Sequence, residues 1–310
     1  MAYLEKKYRP RITLGQSNNA LVLLIAINLI LFVILAFIKA LYFFKYSDKN
    51  AAIAFYYENV LDWFTLPADG NKILTRPWTI LTHMFSHERV WHVLANMLWL
   101  GLFGHILQSL TGNRKLIPVF IYGGIAGAIA FVLAYNFLPG LQAAVSVTSL
   151  LGASAGIMAV AIVVTMISPG YRIFPMLNGG IPLWVITLLF LIIDLATIPV
   201  DNPGGHIAHL AGAFAGFLFM YFLRKGYDWS DWMNNFFDWV NNLFNPDRPR
   251  KGRKMKEQLF YKSGTHPYTK TPNITQDRID ELLDKINQKG YDHLTEEEKD
   301  LLRRASEENS

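Results

Sequence analysis

Residues 116–168 read LIPVFIYGGIAGAIAFVLAYNFLPGLQAAVSVTSLLGASAGIMAVAIVVTMIS, without a single Asp, Glu, Lys or Arg. From there to Leu223 the only formally charged residues are Arg172, Asp194 and Asp201. In a soluble domain about a quarter of the residues carry charge. A water-soluble body built from residues 116–223 would have almost no polar surface, so this stretch belongs in lipid.

Working outward, the whole chain of 310 residues is 52% hydrophobic and 17% charged. Of its 29 basic and 24 acidic residues, 14 and 8 lie in residues 1–224, and the remainder crowd the last 86. The net charge of +5 therefore averages two unlike parts. The composition excludes a disordered, collagenous or disulfide-stapled chain, and the absence of cysteine removes thiol catalysis and Cys-based zinc sites.

A helix needs roughly 20 apolar residues to cross the hydrocarbon core. Six stretches qualify, at about 20–44, 91–110, 116–138, 152–168, 181–199 and 206–223. The first follows Lys6, Lys7, Arg9 and Arg11 but is too long for a signal peptide's apolar region, so it reads as a retained span. The expected architecture is all-α: a polytopic membrane protein with a six-transmembrane-helix bundle and a small helical cytoplasmic C-terminal region. Its divisions are a cytoplasmic N-terminal segment (1–19), a membrane domain (20–224), an interfacial amphipathic helix with a basic linker (225–256), and a small helical tail (257–310).

Basic residues precede the first span and recur at Arg114 and Lys115, at Arg172, and at Arg224 and Lys225. All these segments fall on one side, which the positive-inside rule makes cytoplasmic. Both termini are then cytoplasmic, in a plasma or inner membrane. The second, fourth and sixth spans run inward, so their first turns share the outer side. Those turns hold His92 and Asn96, Ser154, and His206 and His209.

A serine hydroxyl becomes nucleophilic when a neighbouring base takes its proton, and histidine is the usual base. Ser154 opens its helix, so its backbone N–H is unbonded within the helix and the positive end of the dipole lies there. His92 and Asn96, four residues apart, share a helix face and offer side-chain donors to an oxyanion. Gly152, Ala155, Gly156, Gly212 and Gly216 are small residues that let membrane helices approach closely. Alone, Ser154 reads as a packing residue and Gly212-x-x-x-Gly216 as a helix contact; their convergence with the histidines points to acyl transfer.

Three segments, RPWTILTHMFSHERVWHVLANMLWLGLFG, GASAGIMAV and AHLAGAFAG, occur in the order of the rhomboid intramembrane serine proteases, which the chain resembles from about Thr75 to Leu223. The resemblance implies a serine endopeptidase with a Ser154–His209 dyad and no third acid. It puts His92, Asn96 and the Ser154 backbone in the oxyanion hole, with Gly152 permitting the turn into the helix and Gly212 and Gly216 supporting it. The substrates implied are transmembrane protein segments in the lipid bilayer, with no cofactor, no metal and no nucleic acid. A catalytically inactive rhomboid-like adaptor that binds transmembrane segments is the alternative; the oligomeric state stays open.

Two positions depart from the family pattern: Ala155 stands where glycine usually follows the serine, and Trp78-Thr79 replaces a Trp-Arg pair, with Arg76 nearby. His206 is the rival to His209 as base, and the spacing to Gly212 and Gly216 favours His209. Asp194, five residues before Pro199, is expected at the outer interface and outside any triad. Gly152-x-Ser154-x-Gly156 also matches a nucleophile elbow, but that needs a soluble sheet. His83, His87 and His92, or His206 with His209, could suggest a metal site, but they lack the His-Glu-x-x-His spacing of a metalloprotease and no acidic third ligand is evident. A transporter would show repeat symmetry or more charge lining its helices.

In the tail, Trp232, Met233, Phe236, Phe237, Val240, Leu243 and Phe244 follow helical spacing and predict a helix at the membrane surface. Its polar face is acidic, so attraction to anionic lipid would fall to the following RPRKGRKMK. Ile279, Leu282, Leu283 and Ile286, then Gly290, then a Thr295-to-Glu298 capping box before Leu301 and Leu302, predict a helical hairpin.

Overall fold

The computed structural model describes residues 19–174, 176, 179–243 and 276–308. The basic segment before residue 19 and the RPRKGRKMK linker lie outside them. The chain divides into two compact units, Met1–Phe244 and Asn245–Ser310.

In the first unit the helices are α1 (Ala20–Lys45), α2 (Lys49–Asn59), α3 (Val90–Thr111), α4 (Leu116–Phe137), α5 (Ser154–Ile167), α6 (Leu183–Thr197), α7 (Pro203–Arg224) and α8 (Ser230–Leu243). Single helical turns and short extended segments connect them, the latter forming two antiparallel pairs: the long-range pair of β1 (Leu66–Pro67) with β2 (Ser149–Leu150), and the local pair of β3 (Arg172–Ile173) with β4 (Ile181–Pro182). α4, α5 and α7 form the tightly packed centre, with α3 against α5. Asn19 caps α1 by accepting from the backbone N–H groups of Leu21 and Val22. Asn202, left-handed at φ 44°, caps α7 through Gly205, and Pro203 starts that helix.

Six apolar helices stand where the six spans were expected, but only α1, α3, the helical stretch through α4, and α7 are long and apolar enough to cross a membrane. α5 and α6 have 14 and 15 residues. At about 1.5 Å per residue α5 is about 21 Å long, about 9 Å short of the hydrocarbon thickness. The expected spans 152–168 and 181–199 overstated the helices because 152–153 and 168 lie outside α5, and 181–182 and 198–199 outside α6. Non-helical backbone at membrane depth must find partners in the protein. The lead-in to α5 does so: Leu150 and Ser149 pair with Leu66 and Pro67, Ala68 N–H donates to Thr148 O at 3.0 Å, and Gly152 N–H donates to His83 O at 2.8 Å. The Ser154 end of α5 is thus held inside the bundle.

The segment between α1 and α3 packs back against α1. Leu35 of α1 packs with Tyr56 and Leu61. Glu88 accepts from Lys39 at 2.9 Å and from the Tyr57 hydroxyl. Burial pushes the Glu88 carboxyl up, but the bonds from Tyr57 and Lys39 and the charges of Lys39 and Arg89 outweigh it and hold it below the ordinary value.

α8 carries Trp232, Phe236, Trp239 and Leu243 outward while Met233 is buried. Its acidic, amide-rich face meets the basic turn between α3 and α4: Asn234 donates to Arg114 O at 3.1 Å, Asp238 pairs with Arg114 at 3.2 Å, and Asp228 just ahead pairs with Lys115. That face therefore serves the protein's own cations, which is why it is acidic in a helix expected at a membrane surface.

In the second unit α9 (Gln276–Lys289) and α10 (Glu296–Glu308) form the expected hairpin around Leu282, Leu294 and Leu301. Thr295 N–H donates to Glu298 at 2.8 Å and Glu298 N–H to Thr295 Oγ1 at 3.3 Å, a reciprocal capping box.

Candidate active site

The first turns of α3, α5 and α7 meet at one end of the bundle. Gly152, at φ 114°, turns the chain into α5, and a Cβ there would stand 2.8 Å from the His92 ring carbon Cε1. Only glycine fits both demands. Ala153 ends the lead-in and Ser154 is the first residue of α5. Two turns along α7, Gly212 lies so close that a Cβ would overlap the Ala155 carbonyl oxygen, and Gly216 stands likewise against Ala159. This approach of backbones lets the His209 and Ser154 side chains touch: His209 Nε2 is 2.6 Å from Ser154 Oγ.

His209 Nδ1 is 2.8 Å from Asp194 Oδ1 on α6, and His206 Nδ1 is 2.7 Å from the same oxygen. Asp194, expected near the outer interface, does stand in the last turn of α6, but its side chain is 8% exposed and faces both histidines. The reason is geometric. α6 and α7 are joined by a short turn, which folds the end of one helix back along the start of the other. The acidic partner absent from the sequence reading of the histidines is Asp194, and the three ligand-type atoms lie within 4.8 Å of one another.

Asn96 is buried; its amide donates to His92 O at 3.0 Å and lies 3.1 Å from His87 Nε2. His87 Nε2 also faces the Ala153 N–H at 3.5 Å. With Nε2 accepting, the proton of neutral His87 sits on Nδ1, which has no hydrogen-bond partner among the described residues. Burial first, and the nearby His92 second, push His87 down to about 4. Burial pushes His83, which bonds Thr79 O at 3.0 Å, down to about 4 as well. Sequence reading grouped His83 and His87 only as possible metal ligands and missed His87 beside Asn96.

Ser154 and His209 line two cavities. One of about 230 Å³ is bounded by Trp99, Met158, Phe190 and Ile193. The other, about 380 Å³, is bounded by Glu88, Arg89, Ser149, Asp201 and Asn202. An apolar and a polar approach meet at the Ser–His pair.

Residues 74–226 match the rhomboid domain family. The chain carries a rhomboid domain. Among the relatives with similar sequence are the rhomboid protease GlpG of Pectobacterium atrosepticum, 24% identical over 27% of this chain and 36% of the relative. Rhomboid protein 1, mitochondrial, of Saccharomyces cerevisiae is 29% identical over 49% of this chain and 43% of the relative. The RHOMBOID-like protein 12, mitochondrial, of Arabidopsis thaliana is 24% identical over 48% and 47%. The matches thus span less than half the length of these relatives. Residues 266–308 match a family of unknown function.

Both departures from the rhomboid pattern have a structural counterpart. Ala155 is buried, its methyl facing Gly127 of α4. Near Thr79, Arg76 donates to Asp62 O at 3.0 Å with its guanidinium 4.8 Å over Trp63, while Trp78 donates to Trp63 O at 2.9 Å and stacks on it. The first loop of this rhomboid domain is braced by that stack.

Proposed function

We propose that this integral membrane protein is an intramembrane serine endopeptidase that cuts transmembrane segments of membrane protein substrates. The observation that carries the reading is the 2.6 Å contact between Ser154 Oγ and His209 Nε2 where the two cavities meet. Ser154 Oγ attacks the scissile carbonyl carbon as its proton passes to His209 Nε2. The oxyanion is received by the Ser154 N–H at the helix N-terminus, with His92 beside it. Asn96 joins them by releasing its bond to His92 O or its contact with His87. Collapse returns the proton from His209 to the leaving amine and leaves the acyl-enzyme, and water activated by His209 then hydrolyses it. The apolar cavity suits a segment arriving from lipid, and the polar one suits water. No step calls for a cofactor.

In this reading residues 20–224 form the protease domain, followed by an interfacial segment (225–256) and a tail (257–310). Both termini face the cytoplasm of a plasma or inner membrane, because Arg114, Lys115, Arg172, Arg224 and Lys225 sit at the helix ends away from Ser154. Labelling by a fluorophosphonate in detergent tests the reading: wild type should label, and Ser154→Ala and His209→Ala should not. An unlabelled wild type that is also inert on transmembrane substrates would favour the inactive adaptor.

A further inference from the structure

We propose that Asp194 is the positioning residue of the site, so that the working unit here is Ser154–His209–Asp194 rather than a dyad. The inference rests on the protease reading above and extends it to a residue on a different helix.

The contacts form an unbroken line. Ser154 Oγ is 2.6 Å from His209 Nε2, and His209 Nδ1 is 2.8 Å from Asp194 Oδ1. An ionised carboxylate only accepts hydrogen bonds. Bonding to Asp194 therefore puts the proton of neutral His209 on Nδ1 and leaves Nε2 as a lone pair facing the serine hydroxyl. That is the tautomer a general base needs, and without a partner on Nδ1 nothing selects it. When Nε2 takes the serine proton, the imidazolium forms beside a buried carboxylate already in contact with it, in surroundings where charge interactions are weakly screened. Asp194 itself keeps its charge state throughout.

His206 completes the arrangement without competing for the serine. Its Nδ1 donates to the same Oδ1 at 2.7 Å, which holds the carboxylate at this height on α6. A carboxylate in an apolar helix is costly unless bonded, and two imidazole N–H groups on one oxygen supply those bonds. Asp194 is the one charged residue of its helix, LWVITLLFLIIDLAT, and these two contacts are its side-chain bonds among the described residues.

The test uses the full-length protein in detergent, reacted with a fluorophosphonate. The inactivation rate constant, kinact, is separated from the reversible binding constant, KI, for wild type, Ser154→Ala, Asp194→Asn and Asp194→Glu, with thermal midpoints recorded for each. Asn at 194 can donate to His209 Nδ1 and so imposes the wrong tautomer. We expect kinact to fall about 10²–10⁴-fold with KI nearly unchanged, the fold retained, and Asp194→Glu to recover part of the rate. A wild-type kinact in Asp194→Asn overturns the inference and leaves the protease reading standing. A loss that follows a collapsed thermal midpoint, with no recovery by Glu, also overturns it, since Asp194 would then only hold helices together. Labelling abolished by a chelator and restored by Zn²⁺ overturns it too, by making Asp194 a metal ligand. If wild type itself is unlabelled, the protease reading falls first and this inference with it.

Discussion

His209 and His206 differ by one contact. Both donate to Asp194, but only His209 reaches Ser154. His209→Ala should reduce fluorophosphonate labelling about 10²–10⁴-fold, the usual worth of a general base, whereas His206→Ala should keep labelling within about tenfold of wild type. The reverse pattern would reassign the base to His206. His83 and His87 carry a second residue-level consequence. Both are buried and held down to about 4, against an ordinary 6.5. The unfolded chain thus binds more protons than the folded one between these values. The stabilisation is complete above pH 6.5 and is lost as pH falls from 6.5 towards 4. The thermal midpoint in detergent should drop across that window, and His83→Gln should flatten the drop. Asp194, by contrast, was visible in the sequence as a lone acid in an apolar run, but its partners were not.

At the scale of elements, the decisive feature is that α5 and α7 touch along backbone. Gly212 and Gly216 face the Ala155 and Ala159 carbonyls, and Gly127 of α4 stands against Ala155 and Ala208. Gly212→Val should push α7 off α5, separate His209 from Ser154 and reduce labelling at least about 100-fold. Gly101→Val in α3 meets open space and should label as wild type does. If both variants label alike, the close approach is not what brings the pair together. Small residues at four-residue spacing made this contact legible in advance, because the pattern is local to one helix. The lengths of α5 and α6 were not legible: apolar character continues through 152–153 and 181–182, where the Gly152 N–H bond to His83 O and the pairing of Ile181–Pro182 with Arg172–Ile173 hold the backbone out of helix.

For the molecule as a whole, the uneven charge distribution corresponds to two units, and each is described by its own core. The first has apolar helices, with the segment between α1 and α3 tied down by Glu88 and by the Trp63–Trp78–Arg76 stack. The second is a charged hairpin with Leu282, Leu294 and Leu301 inside. Thr295→Ala removes half of its capping box and should destabilise the hairpin by about 1 kcal/mol. Hydrogen exchange at the first turn of α10 would then quicken while labelling at Ser154 stays unchanged. Coupled loss of labelling would show that the hairpin acts on the site. The sequence by itself determined the membrane class, the positions of the six apolar helices, the Thr295–Glu298 capping box of α10, and Ser154, His209, His92 and Asn96 as candidates. All of these follow from composition and spacing along single segments. Only the tertiary structure decided that α5 stops short inside the bundle, that His87 stands beside Asn96, and that Asp194 bonds both histidines. Those depend on how one helix is rotated and set back against another, and no local pattern of apolar and polar residues encodes that rotation.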